Sequence, residues 1–339
     1  MACSPERSEK GSIMSAWLKK GLTAALFITA AGLYGCGSGP IDNTPVGPHA
    51  LFTVFYDTDG LANSYINDLA VDYSRNGLWI ATWGGISFYS FRDSIFTTYG
   101  AASDLPNTRI TSLAINRGTV WAGTISGVST YAGSAWDSLP DMSVLANTFV
   151  NTIAVMTDNS LWFGTRGGVS RMTSALSWSS FSITNGLSDN NVTSVASDAG
   201  GKIWVGTFHG VNVFDGAHWS SVVNTLPSAA VQAIYRDSSG TMWVGTANGI
   251  ASFKGNDVAL WDISSGLPSN SINEFAEDFN HVLWVATDTG AAFFTGTGWT
   301  KLPLPDVAAG IPVNTVTSDS KTLSLWFGTN IGLVRYQVK

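Results

Sequence analysis

Cysteine is nearly absent. Only Cys3 and Cys36 occur in 339 residues, which leaves no disulfide framework and no cysteine pair at metal-ligand spacing. Positive charge is scarce as well, with 17 Lys and Arg against 24 Asp and Glu and a net charge of −7. A surface of that sign argues against nucleic acid, whose binding rests on neutralising phosphates with bases. The four histidines, at 49, 209, 218 and 281, lie far apart in sequence. There is no H-E-x-x-H and no phosphate loop, so no metal or cofactor is expected. The uncharged, mostly apolar run from Gly21 to Tyr34 has fourteen residues, whereas a bilayer-spanning helix needs about 20. A permanent membrane helix is therefore the weaker reading of it.

That run has the anatomy of a targeting segment. Lys19 and Lys20 form a charged start, the apolar run follows, and Leu33-Tyr34-Gly35-Cys36 closes it as a cleavage site. L-x-G-C resembles the bacterial lipobox. The resemblance implies a signal peptide over 1–35 and a lipidated Cys36 as mature N-terminus, with Met14 as the true start. Gly37, where inner-membrane retention would favour Asp, implies the outer membrane. Residues 36–49, with Gly, Ser and Pro prominent from 37 onward, read as a flexible tether. Without residues 1–35 the chain carries a net charge of −9. With Cys36 acylated, no thiol remains, and the domain over 50–339 must be held by its core alone.

What the chain has in abundance is a repeat. W-x-[AG]-T-x-x-G recurs seven times, with Trp at 79, 121, 162, 204, 243, 284 and 326, at intervals of 39 to 42 residues. Such a period marks units that bury their apolar faces only against their neighbours. Each unit reads as four short strands. In the fifth, Val231–Arg236 is an apolar-rich run, Asp237-Ser238-Ser239-Gly240 a tight turn, and Met242–Thr246 a second strand. Ala247-Asn248 make a hairpin tip before Gly249, Ile250–Phe253 form a third strand, and Val258–Ile263 a fourth around Trp261. Seven units of four antiparallel strands describe an all-β, seven-bladed β-propeller. The seventh unit lacks a fourth strand, while Leu51–Tyr56 precedes the first and resembles the fourth strands elsewhere, such as Trp178–Phe181. The N-terminal strand is thus expected to complete the last blade and remove its open edge.

The pattern is not that of WD40 repeats, whose Trp-Asp ends a strand, nor of kelch repeats, which want a Gly pair in every blade. Gly-Leu-Pro-Ser-Asn-Ser-Ile-Asn at 266–273, followed by Leu283-Trp284-Val285-Ala286-Thr287, resembles the two-component regulator propeller repeats of extracytoplasmic sensor regions in hybrid histidine kinases. Similar segments cover residues 50 to 339. The resemblance implies a sensor-type propeller, here expected as a stand-alone lipoprotein, since no kinase sequence follows the seventh blade.

Most conspicuous residues serve the repeat. The periodic Trp residues are expected between blades, and the Thr and Gly after each at strand exit and at a positive-φ hairpin position. Asp72, Asp158, Asp198, Asp237, Asp278 and Asp319 each sit at the first turn of a blade, where Asp bonds its own backbone. A second polar ring, Asn67, Thr111, Asn151, Thr193, Gln232, Asn273 and Asn314, reads first as bonds between blades and second as a ligand-facing ring. Asp72–Gly77 resembles half a calcium loop, but Arg75 lies inside it and Trp83 stands where the loop wants Glu.

Of fourteen Trp residues, only Trp83 has neither a repeat role nor a place in the signal segment. It lies at the second hairpin tip of the first blade. The other tips are Ile125-Ser126, Arg166-Gly167, Phe208-His209, Ala247-Asn248, Asp288-Thr289 and Asn330-Ile331, on the face where the chain crosses between blades. The repeat does not dictate these pairs, so specificity should concentrate there. Trp83, Arg166, Phe208, His209, Asn248 and Asp288 are the candidate ligand-binding residues; none is assigned a catalytic role in the leading reading. That reading is a non-catalytic binding propeller of the cell envelope, a sensor or accessory module whose partner is a glycan, a peptide or an envelope protein. Contact with the membrane is expected only through the lipid. The alternative is a propeller lyase or hydrolase acting on an exported polysaccharide or small lactone, with His209 as base and Arg166 as charge stabiliser. A third is a structural subunit of an envelope complex.

Overall fold

The computed structural model describes residues 51–222 and 225–337. The signal segment, lipobox cysteine and tether expected over 1–49 lie outside the described residues. Among the described residues no helix is long and apolar enough to cross a membrane.

The strands form seven four-stranded antiparallel sheets. Blade 1 comprises Ile66–Asp72, Gly77–Thr82, Gly85–Ser90 and Phe96–Tyr99. In blade 5, Val231–Arg236, Met242–Thr246, Gly249–Lys254 and Asp257–Trp261 follow in the order that the sequence predicts. Ile263 departs from expectation, opening a short 3-10 turn (Ile263–Ser265) instead of extending the fourth strand. Its lead residue Asp262 accepts the Ser264 N–H, which favours the turn. Blade 7 is closed from the other end of the chain. Leu51–Phe55 pairs antiparallel with Leu333–Gln337, from Leu51 opposite Gln337 to Phe55 opposite Leu333, beside Ser324–Thr329 and Val313–Asp319.

The repeat motif has a physical role at each position. Trp79, Trp162, Trp243, Trp284 and Trp326 are buried, and Trp121 and Trp204 are half-buried. Trp79 packs with Ile110, Leu113 and Trp136 of blade 2, so the indole fills the wedge between twisted sheets. The first-turn aspartates cap their own backbone and do more. Asp72, Asp237 and Asp278 each accept the indole N–H of their blade's Trp, at 3.0, 2.8 and 2.9 Å. A buried indole N–H would otherwise be left without an acceptor. In blade 3 Ser160 takes this place at 3.2 Å from Trp162 Nε1.

The motif Thr holds the second hairpin together. In blade 3 the Thr165 hydroxyl donates to the Gly168 carbonyl at 2.8 Å and accepts the Gly167 N–H at 3.1 Å. Gly168 has φ +129°, and a Cβ there would stand 2.1 Å from the Phe181 carbonyl oxygen. Gly168→Ala is therefore expected to cost about 1–3 kcal/mol, read as a shift in the urea midpoint at constant m-value.

Each first strand carries a register shift after its first residue. The extra residue is the member of the second polar ring, and its side chain bridges to the next blade. Asn67 Nδ2 donates to the Ile110 carbonyl at 2.6 Å, and Asn151 Nδ2 to Val192 O at 2.7 Å. Asn314 Nδ2 closes the ring on Ile66 O at 2.7 Å. The bulge thus aims a side chain across the blade boundary.

Candidate functional site

Because the bulges, the second hairpin tips and the inter-blade crossings share one face, here called upper, that face concentrates the residues that differ between blades. The bulge residues ring the mouth of a central cavity of about 180 Å³. Below them the lining is uneven: Asp68 and Glu274 occupy positions held by Ser112, Thr152, Ser194 and Ala233 in other blades. In four blades the side chain at this level accepts a backbone N–H of the next blade. Asp68 takes that of Leu113 at 2.6 Å, Ser112 that of Ile153 at 3.0 Å, Ser194 that of Ile234 at 2.9 Å, and Glu274 that of Val316 at 3.1 Å.

A carboxylate there is costly. Burial raises the Asp68 carboxyl to about 6, against the hydrogen bonds from Leu113, Leu69 and Ser112 that lower it. Burial, then repulsion from Asp68, raises Glu274 to about 8. Among the described residues no Lys, Arg or His lines the cavity to offset them. The described residues contain no group of three or more His, Cys, Asp or Glu placed to hold a metal.

Around the rim, the tips of blades 1, 3, 5 and 6 are fixed by a backbone bond to the residue leading into the first strand. The Trp83 N–H donates to Tyr65 O and that of Arg166 to Phe149 O, both at 3.2 Å. The side chains then stack in the same pairs. Trp83, 44% exposed, lies 4.0 Å from the Tyr65 ring at 19°. Its Nε1 donates to Asn67 Oδ1 at 3.1 Å, and the Arg109 guanidinium of blade 2 sits 4.6 Å from the ring centroid. Since Tyr65 occupies one face, Arg109 takes the other. In blade 3 the Arg166 guanidinium lies 3.6 Å from the centroid of Phe149.

Arg166 and Phe208 come together with Asn151, Asn191 and Thr193 around a pocket of about 200 Å³. Asn151 and Thr193 also line the central cavity, so they stand between the two spaces. His209 turns to Asp189, with Nδ1 2.5 Å from Oδ2. Its side chain is 73% exposed, and it does not line the pocket. Burial raises the Asp189 carboxyl, but hydrogen bonds from Asn191 and His209 outweigh it and leave the group below its ordinary value.

The remaining two candidates stand apart. Asn248 Oδ1 accepts from Asn270 Nδ2 at 3.3 Å, and Asp288 Oδ1 from Asn273 Nδ2 at 3.0 Å; neither lines the pocket of Arg166 and Phe208. Sequence reasoning missed Tyr65, Arg109 and Phe149, which stack on or beside the tips. Their signal is modest: each is the residue immediately before the first strand of its blade. Asp68 and Glu274 were also missed, although each is a charge within a half-buried strand.

No curated protein matches this chain in sequence. The sequence profile described as Two component regulator propeller matches residues 186–209 and 225–248, which run through the first two strands of blades 4 and 5. Among solved structures, the extracellular domain of BT3049 from B. thetaiotaomicron, assigned as a hybrid two component system, superposes with a TM-score of 0.74 at 19% identity. That match covers 85% of this chain and 42% of the other, so this chain spans less than half of that relative's length. Virginiamycin B lyase from Staphylococcus aureus, solved with quinupristin, matches at TM-score 0.69 and 12% identity, over 86% of this chain and 100% of that one. PorZ, a surface component of the type-IX secretion system of Porphyromonas gingivalis, matches at 0.63 and 15%, over 82% and 47%. At these identities the structural matches establish the fold. The chain is a seven-bladed β-propeller, two of whose blades carry segments that match the two-component regulator propeller profile.

Proposed function

We propose that the protein is a non-catalytic binding propeller of the bacterial cell envelope, anchored by a lipid on Cys36 at the outer membrane and serving as a sensor or accessory module. One observation carries the binding role: the aromatic and cationic tips of blades 1, 3 and 4, with Arg109 of blade 2, lie in one sector of the upper face. Tyr65, Trp83 and Arg109 form one stack, Phe149 and Arg166 another, and Phe208 faces Arg166 across the pocket. Guanidiniums held over rings are pre-organised for planar anions, while the amides of Asn151 and Asn191 can read hydroxyls or peptide groups. A carboxylate-bearing glycan fragment or an acidic peptide fits this chemistry. Asn248 and Asp288 would contact only the far side of an extended ligand.

The test is an array of glycans and peptides probed with the soluble domain. Trp83→Ala and Arg166→Ala are each expected to weaken the ligand found by tenfold or more, equivalent to about 1.4 kcal/mol. No binding, or binding indifferent to both changes, would remove this site.

The His209–Asp189 pair favours a second reading, a lyase or hydrolase using His209 as base with Arg166 stabilising charge. Its exposure counts against it, since water is not excluded. Incubation with quinupristin, followed by mass spectrometry, distinguishes the two: the binding reading expects no turnover.

A further inference from the structure

A cleft lies on the lower face, opposite the tips, between blades 5 and 6. It has a volume of about 470 Å³, within the range of sites for small organic ligands. Its origin is a local departure from the repeat. The third-strand residue directly opposite the motif Trp shares its face of the sheet. That residue is Phe88 in blade 1, Thr130 in blade 2, Arg171 in blade 3, Val213 in blade 4, Phe293 in blade 6 and Arg335 in blade 7. In blade 5 it is Ser252, opposite Trp243. The equivalent wedge between blades 3 and 4, where Arg171 reaches over Trp162 to Asp158, holds only about 160 Å³.

The aromatic lining is one continuous wall. Phe294 lies 5.0 Å from Trp243 and 5.1 Å from Trp261, both edge-on, so the rings touch each other and do not form an open cage. The inner polar groups are already committed. Asp237 accepts the Thr241 N–H, the Ser239 hydroxyl and the Trp243 indole. The Ser239 and Thr241 hydroxyls bond each other, and Ser252 Oγ accepts from Trp261 Nε1. A sugar ring placed there would leave its hydroxyls unpaired, at a cost that an aromatic ring avoids. Charge stands at the mouth, where Lys254 and Asp257 are paired across a hairpin and exposed. Beside them, the outer strand of blade 5 exposes Val258 and Leu260; at the place of Leu260 other blades carry Thr98, Ser180, Ser221 or Lys301, and at that of Val258 they carry Phe96, Trp178, Trp219 or Trp299.

We propose that this cleft binds an aromatic ring bearing a charged or polar tail, the chemistry of an aromatic amino acid, either free or within a peptide. The ring packs on the Trp243, Trp261 and Phe294 wall, and the tail meets Lys254 and Asp257. This site is independent of the one on the upper face.

The test uses L-tryptophan, N-acetyl-tryptophanamide, the peptide Gly-Gly-Trp-Gly-Gly and methyl glucoside, followed by ligand-observed NMR and calorimetry. Ser252→Arg and Ser252→Phe copy side chains that other blades already hold opposite their Trp, so they fill the cleft in a form the fold accommodates. An aromatic probe is expected to bind with a dissociation constant of about 10 µM to 1 mM, and either substitution to weaken it by tenfold or more with undiminished melting temperature. L-tryptophan binding alone identifies a free amino acid, and peptide binding alone a polypeptide source. No binding of any aromatic probe up to about 10 mM, binding unchanged in both variants, or methyl glucoside binding displaced by them would overturn the proposal.

Discussion

Removal of residues 51–56 is expected to abolish the cooperative fold and drive aggregation. The strand Leu51–Phe55 forms the whole outer edge of blade 7. Its loss exposes the edge of Leu333–Gln337 as a row of unpaired backbone groups, a template for another chain. Packing is lost at the same time, because Phe55 bridges the two ends of the ring. Its ring lies 6.1 Å from Trp326 in blade 7, and 5.3 and 5.5 Å from Tyr89 and Phe96 in blade 1. Phe52 adds a contact with Tyr336 at 5.1 Å. In an open solenoid each repeat touches only its neighbours, so losing an end strand costs only that end. A ring has no spare end, and opening it uncovers both sides of the break. Phe55→Ala alone, at a half-buried position, is expected to cost about 2–4 kcal/mol. Thermal melts with light scattering check both changes; a truncated protein that melts as the full chain does would refute closure as the stabilising device.

The second large effect is a loss of stability at alkaline pH that Glu274→Gln removes. Glu274 titrates at about 8 in the folded protein, against an ordinary value of 4.5. The folded state therefore holds the proton more tightly than the unfolded chain does. Its contribution to stability is complete below pH 4.5 and disappears as pH rises through 8. Gln keeps an oxygen to accept the Val316 N–H and carries no charge. The variant should melt higher than the parent at pH 9 and alike at pH 5. The full shift would correspond to roughly 5 kcal/mol at most. Asp68→Asn should act in the same direction over pH 4 to 6 and should lower the Glu274 titration, since repulsion from Asp68 contributes to it. Asp72 acts with the opposite sign. Burial raises it, but hydrogen bonds from Ser74, Trp79 and Arg75 hold it at about 2, so its contribution is present above the ordinary carboxylate range and lost as pH falls through about 2. Urea midpoints across pH 4 to 9, with and without Glu274→Gln, give the slope directly; parallel profiles would show that the carboxyl is hydrated as an ordinary surface group.

The sequence made the site only half legible. Trp83 stood out because it is the one Trp with neither a repeat role nor a place in the signal segment, and Arg166, Phe208 and His209 because tips escape the repeat. Tyr65 and Phe149 could not be assigned, since a residue one step before a strand follows no rule until the tip's backbone bond to it is known. Arg109 could not be assigned either, because it reaches Trp83 from the next blade, 26 positions along the chain. The dispersal of Asn248 and Asp288 away from Arg166 follows from the radius of a ring, which sequence order does not measure.

What the sequence by itself determined is the blade. A motif repeated seven times fixes strands, turns and inter-blade Trp, because every copy meets the same neighbours and the same steric demands, down to a positive-φ Gly at each second hairpin. It also determined closure, through a missing last strand and a matching first one. What only the tertiary structure decided are the exceptions: which tips stack, which carboxylates share a channel, and where a small side chain opens a cleft. Ser252 is unremarkable until register places it opposite Trp243, and Asp68 and Glu274 feel each other only once the ring brings blades 1 and 6 to either side of blade 7. Local pattern sets local geometry, whereas repulsion, stacking and empty volume depend on distances through space that exist only after the ring closes.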